Sequence, residues 1–389
     1  MRFSPTIDRV PFPPISAVKE WLAGRTFPPE QPLVDLCQAV PDYAPAPQLV
    51  DHLRPLLDDP QTSRYSPDEG LPEARAAVAA WLARRYGAGP EAGEVCLTIG
   101  ASQAFWLALL TLCRAGDEVV LQLPAYFDHP MALAALGITP VYAPFDVARG
   151  GVPDPDVIAA LITPRTRALL MVSPSNPAGA VIPPAVIAEL FDLARRHDIA
   201  LLLDETYNAF LPPGAAPHAL FGRPGWQEHF VHIASFGKTF ALTGYRAGAL
   251  VAGPAMIRQA LKIQDTMAVC QPRLTQHAIT FGCERLDDWV AANAAMMQRR
   301  HDGFVALFTS PGNPFELVAS GAFFAWIRHP WPGLSGWEAA RRLAFDANLI
   351  CLPGEAFGPG MEPYLRLALG NLPFERIPAA IERFCITSG

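Results

Sequence analysis

Charge is scarce in this chain: only 17% of its 389 residues are Asp, Glu, Lys or Arg, against 51% that are apolar. That balance excludes a disordered chain and leaves ample core material, enough for two packed units or one large domain with a smaller companion. The basic residues are scattered and the net charge is −7, so neither nucleic acid nor an anionic membrane is an expected partner. The seven cysteines (37, 96, 113, 270, 283, 351 and 385) include no Cys-x-x-Cys pair and lie mostly in apolar runs. They read as small hydrophobes in a reducing compartment. No His or Cys cluster has metal-ligand spacing, so no metal is expected, and His197 and His301 read as surface or boundary groups on helices. Apolar runs such as AFWLALLTLC (104–113) are too short to span a bilayer. The opening MRFSPTIDRVPFPPI lacks the apolar centre of an export signal, which makes the cytoplasm the expected location. Internal repeats, low-complexity tracts and a Gly-x-Gly-x-x-Gly after the first strand are also missing, the last arguing against a nicotinamide dinucleotide site.

What is plentiful is proline, at 41 residues, much of it where strands end or helices begin and a missing N–H costs little. Between the prolines, short apolar runs alternate with longer helical segments. The runs are VCLTI (95–99), EVVLQL (118–123), TPVYAPF (139–145), RALLMV (167–172), IALLLD (199–204), FVHIA (230–234) and AGALVA (247–252). Continuous rather than alternating apolar character predicts strands buried on both faces, in a mostly parallel α/β sheet covered by helices. Ligands of such sheets bind beyond the carboxyl ends of the strands. Residues 1–44 read as an arm with a short helix near Ser16–Leu22, and 45–275 as the large domain. Residues 276–389 read as a smaller α+β unit that packs with the arm, with a long helical stretch from Gln276 to Phe308, the run LVASGAFFAWI (317–327), a helix around Gly336–Ala347 and YLRLALG (364–370).

Polar groups with chemical capacity gather at the predicted strand ends. Lys238 sits in SFGKTFALTGYRAG (235–248), between two buried-looking strands, with Ser235 before it and Arg246 eight positions on. An amine so placed can lose its proton and attack a carbonyl, although an isolated Ser-x-x-Lys is more often a solvated loop. In GASQAF (100–105), Ala101, Ser102 and Gln103 fall where a helix start offers free N–H groups to an anion. Taken alone, Ser102 is an ordinary N-cap. Asp204 ends a buried strand in LLLDETY (201–207), Asn176 lies in SPSNPAG (173–179), and Tyr126 follows a strand in LPAYFDHP (123–130). On their own these are equally an ion-paired acid, a turn residue and a packing aromatic.

The ordered set from about Leu33 to about Gly370 resembles the class I/II aminotransferases, fold type I enzymes that use pyridoxal 5′-phosphate (PLP). The resemblance implies that Lys238 holds the cofactor as an imine and moves the substrate α-proton as base and acid. It implies that Asp204 keeps the ring nitrogen protonated, that Asn176 and Tyr207 bond the ring oxygen, and that Tyr126 stacks on the ring. Ala101, Ser102, Gln103, Ser235 and Arg246 would take the phosphate, joined by Tyr65 of RYSPDEGLPEAR (64–75) reaching in from a second subunit of a homodimer. Arg366 in YLRLALG would grip the substrate α-carboxylate with its planar fork, beside Asn176 and the backbone at Ala39. The family often has Gly at that last position, so the backbone contact there is expected to differ. The implied reaction is ping-pong transfer of an amino group from an L-amino acid to a 2-oxo acid. A PLP-dependent β-lyase and a non-catalytic PLP-binding module share the same motifs. Tyr43, Tyr126, Phe127, Phe210 and Phe357 lean towards a neutral or aromatic substrate, and Arg273 is the available cation for an acidic one.

Overall fold

Each of the seven apolar runs becomes a strand, and all seven join one sheet. A computed structural model describes residues 1–386; the last part of the predicted C-terminal unit, 387–389, lies outside the described residues. In chain order the strands are β1 (Val34–Asp35), β2 (Val95–Ile99), β3 (Glu118–Gln122), β4 (Thr139–Ala143), β5 (Thr166–Val172), β6 (Ala200–Asp204), β7 (Phe230–Ser235) and β8 (Ala247–Val251), followed by β9 (Glu316–Gly321), β10 (Phe324–Arg328), β11 (Leu349–Ile350), β12 (Leu352–Pro353) and β13 (Tyr364–Ala368). The large sheet runs β2-β8-β7-β6-β5-β3-β4. β8 is antiparallel to both its neighbours, whereas the pairings β7-β6-β5-β3-β4 are parallel.

The pleat divides each strand between two cores. Leu201 and Leu203 point into one that holds Trp81, Phe191 and Phe230, while Leu202 points into the other with Phe105, Leu121 and Leu250. This two-sided burial is why the runs are apolar throughout. Parallel strands then deliver their carboxyl ends to one edge. Because β8 runs the opposite way, its first residue arrives at that same edge.

The smaller sheet is antiparallel, in the order β12-β13-β10-β9. Leu365 and Leu367 of β13 face a third core with Phe304, Phe308 and Phe384, which leaves Arg366 on the opposite face. The arm reaches this unit through β1, which pairs in parallel with β11. Gly179, in the loop after β5, approaches Gly321 at the end of β9 so closely that a Cβ on Gly179 would lie 2.2 Å from the Gly321 nitrogen. Only glycine fits where these two parts meet.

Several expected boundaries shift. The stretch expected as one helix from Gln276 to Phe308 is two, Arg273–Arg285 and Asp287–Phe308, interrupted at Leu286 (φ −113, ψ 16). Leu286 is fully buried, and two acids, Asp287 and Asp288, start the second helix where its dipole favours negative charge. No Pro or Gly announces the break. The arm's helix runs Pro14–Glu20, and the one near Gly336 ends at Asp346. Among the described residues no helix is long and apolar enough to cross a membrane.

Candidate active site

A cavity of about 480 Å³ opens at the edge where the strands end. Its floor and walls come from the chain just past β2, β3, β5, β6 and β7, from the entry to β8, and from Arg366 on β13.

Lys238 projects into the cavity from the short helix Phe236–Thr239 that follows β7. Its ammonium donates to the Ala39 carbonyl at 2.5 Å and forms no ion pair among the described residues. Burial, with help from Arg246 and Arg366, lowers its pKa to about 8, so roughly a tenth of the amines are neutral and nucleophilic at pH 7. The chain has only two other lysines, Lys19 and Lys262, and both pair with surface glutamines, Gln38 and Gln259.

One end of the cavity suits a dianion. Helix Gly100–Leu112 starts there, with Ala101 and Ser102 lining the wall and first-turn N–H groups that lack intrahelical partners. Gln103 also lies in that first turn, but its side chain is buried and its Oε1 accepts the Ile99 N–H at 2.6 Å, away from the cavity. Ser235 lines the wall from the other side. Arg246 adopts a left-handed conformation (φ 57, ψ 51), uncommon for a residue with a side chain. Its guanidinium crosses the face of Gly100, where a Cβ would come within 2.6 Å of Nη2.

The opposite wall carries the ring-binding candidates. Asp204 closes β6, its Oδ1 accepting the Thr206 N–H at 3.0 Å and its Oδ2 lying 3.3 Å from His129 Nε2. Tyr126 donates to Asp128 Oδ2 at 2.5 Å and meets the His129 ring edge-on at 5.2 Å. Tyr207 packs on Phe323 and Phe324. Burial pushes its phenol above the ordinary range, against the pull of Arg366, which keeps the hydroxyl a donor at neutral pH.

Arg366 is 1% exposed, on an inner strand paired with both Trp326 and Leu352, not on an edge. Its Nη1 donates to Asn176 Oδ1 at 3.3 Å and its Nη2 to the Cys37 carbonyl. Its Nε has no partner. The guanidinium lies over the rings of Phe324 and Phe357. A buried cation facing a cavity with no carboxylate against it is costly unless an anion comes to it.

Sequence reasoning placed some residues elsewhere and missed others. Tyr65, expected to serve a second subunit's site and not its own, lies 78% exposed outside this cavity. Tyr43, Phe210 and Phe357 pack against Trp289, Phe323 and Trp326 and do not line the cavity, whereas Tyr126 and Phe127 do. Arg273 heads its helix with Nε unpartnered and also stands outside the lining. Unforeseen were His129, Trp106 and Met131, and Ile7, Val10 and Ile15 from the arm. The sequence signal for His129 was available: it lies three residues after Tyr126, in the same segment LPAYFDHP that follows β3.

PLP fits these residues. The helix start with Arg246 and Ser235 offers a phosphate cradle in which a Cβ at Gly100 would collide, the amine of Lys238 can meet an aldehyde, and a carboxylate stands ready for the ring nitrogen.

Comparison with known proteins agrees. The profile of the family described as aminotransferase class I and II matches residues 31–384. An aromatic aminotransferase of Arabidopsis thaliana is 27% identical over 95% of this chain and 92% of its own. The arginine–pyruvate transaminase of Pseudomonas aeruginosa is 32% identical over 85% and 83%. The aspartate aminotransferase of Thermus thermophilus solved with maleate superposes with a TM-score of 0.91 across the whole of both chains, at 27% identity. Members of this family use PLP. With the family profile spanning nearly the whole length, and a lysine, a carboxylate and two arginines converging on one cavity, the chain belongs to the class I and II aminotransferases.

Proposed function

We propose that the enzyme moves an amino group from a neutral or aromatic L-amino acid to a 2-oxo acid in two ping-pong half-reactions. The observation that carries this reading is Arg366, a buried cation without a carboxylate, facing the same cavity as an amine whose pKa is lowered to about 8. Those are the two groups that an α-amino acid requires: one for its carboxylate, one for its α-proton. Bound in the cavity, PLP supplies a protonated ring that accepts electron density from the substrate α-carbon. Asp204 stabilises that ring proton, and His129 steadies the carboxylate. Tyr207 and Asn176 donate to the ring oxygen, while Tyr126 forms a wall. The helix start, Ser102, Ser235 and Arg246 hold the phosphate. Lys238 would hold and move the substrate α-proton as base and acid.

Support for an apolar side chain comes from the lining. Ile7, Val10, Ile15, Trp106 and Met131 surround the cavity, and its cations are Lys238, Arg246 and Arg366, each already assigned a task. A panel of amino donors with 2-oxoglutarate tests this, with Phe, Tyr or Leu expected to exceed Asp by tenfold or more in kcat/KM. Parallel double-reciprocal lines are expected for the ping-pong order. Ammonia release from a cysteine conjugate in place of keto acid formation would instead favour a β-lyase.

The same reading includes a homodimer whose shared sites use Tyr65 of each partner, a cytoplasmic location, and no nucleic-acid or membrane partner. It divides the chain into an arm (1–44), a PLP-binding domain (45–275) and a small domain (276–389), with helix Arg273–Arg285 lying across the second boundary.

A further inference from the structure

Asp204 is followed at once by a second buried acid, Glu205, which is 5% exposed. Period-two alternation sends the two carboxylates to opposite faces of the sheet. Asp204 follows Leu202 towards the cavity, and Glu205 follows Leu203 into the core behind it. There Glu205 Oε2 accepts from Tyr86 at 2.7 Å, lies 3.0 Å from His218 Nε2, and lies 2.9 Å from His232 Nδ1. Burial would raise the Glu205 pKa, but His218 and then His232 outweigh it and hold the carboxyl well below the usual carboxylate range.

Two histidines and a glutamate within 4.8 Å of one another are donor types that a metal would accept. The backbone argues otherwise. Leu220 N–H donates to His218 Nδ1 at 3.1 Å, which places the ring proton on Nε2. His218 therefore offers Glu205 a hydrogen bond and has no lone pair there for a metal.

The cluster is tied to the residues that face the cavity. Asn208 Nδ2 donates to the Tyr86 hydroxyl at 2.9 Å, and Asn208 N–H donates to the Glu205 carbonyl at 3.0 Å. Glu205 N–H donates to the Ile233 carbonyl on β7 at 3.1 Å. Asp204 and Tyr207 thus sit on a five-residue turn whose other side is fastened through Glu205 and Asn208.

We propose that Glu205 is a positioning residue: its buried carboxylate, held by Tyr86 and His218, anchors the 204–208 turn from behind the sheet and sets where Asp204 and Tyr207 meet the cofactor ring. This rests on the PLP reading above. The test uses folded apoprotein at a temperature where circular dichroism shows every variant native, and measures PLP affinity by absorbance titration, then kcat and KM on the reconstituted enzyme. Glu205→Gln keeps the shape but loses the charge that its donors need. Its Kd for PLP is expected to rise about tenfold, and kcat to fall about tenfold or more with KM within about twofold, because hydrogen bonds to a buried charge are worth that much. Tyr86→Phe removes one donor and the Asn208 link, and is expected to move the same quantities severalfold. Unchanged Kd and kcat in both variants, even with a lower melting temperature, would show that Glu205 only fills the core and would overturn the proposal. Should Glu205→Gln fail to fold, the Tyr86→Phe result decides alone in the same terms. Failure of the PLP reading looks different, since wild-type apoprotein would then not take up PLP.

Discussion

At the scale of single residues, Lys238 stands apart by environment more than by type. Lys19 and Lys262 are solvated, whereas Lys238 is enclosed with two guanidiniums nearby. Borohydride reduction of the PLP-loaded protein should therefore label one peptide of three possible lysine sites, and Lys238→Ala should take no label. The lowered pKa also sets the pH dependence of cofactor uptake. The neutral amine attacks, and its fraction grows as pH rises through about 8, so the uptake rate of apoprotein should climb between pH 6.5 and 9.5 with its midpoint near 8. Stopped-flow absorbance gives that profile, and a midpoint near the ordinary lysine value would refute the burial argument. The cavity positions of Asp204 and Lys238 were legible in the sequence because a charged group at or just past the end of an apolar strand has no packing reason to be there, whereas Arg366, in the middle of β13, was marked only by the resemblance of YLRLALG. Ile7, Val10 and Ile15 were not legible, because apolar residues in an arm with only one turn and one short helix carry too little periodicity to show which face meets the cavity. Phe210 and Phe357 misled for the converse reason: aromatic character does not say whether a ring faces ligand or core.

Among the elements, the start of helix Gly100–Leu112 is the most exposed to a single change. Gly100 has φ +73 and lies under the Arg246 guanidinium. Gly100→Ala adds a left-handed strain of about 1–2 kcal/mol and pushes Arg246 off the phosphate end. PLP affinity should fall about tenfold, or ~1.4 kcal/mol. Gly87→Ala is the control: its φ of +74 is nearly the same, but nothing lies within 4 Å of the added Cβ. That variant should lose stability in thermal melts and keep its PLP affinity. The seven strands of the large sheet were legible to within about two residues because burial on both faces writes itself into composition, whereas β9 and β10 read as the single run 317–327 and the two-residue strands β1, β11 and β12 gave no signal. The break at Leu286 was not legible, since a buried leucine continues a helical pattern and no Pro or Gly stands there.

For the whole molecule, the exposure of Tyr65 on the isolated chain becomes an advantage in a test of assembly. Lys238→Ala and Tyr65→Ala chains, each impaired alone, should regain activity on mixing, because one site of a heterodimer then receives both intact side chains. A mixture that exchanges subunits by native mass spectrometry yet stays inactive would remove Tyr65 from the site. Overall architecture was readable from alternation of strand and helix. The approach of Gly179 to Gly321 was not, because two glycines 142 positions apart give no local hint that their backbones touch.

The reversed strand β8 has a mechanical consequence. The chain leaves β7 through Ser235 and Lys238 and re-enters the sheet just after Arg246, so the covalent and ionic moorings proposed for the cofactor are two posts of a single short loop, driven into adjacent strands of one slab. Arg366 is set in a different slab. If the slabs rock against each other, the distance between the posts stays constant while the reach to Arg366 changes. The cofactor would ride as rigid cargo, and the work of any closing stroke would fall on the substrate alone.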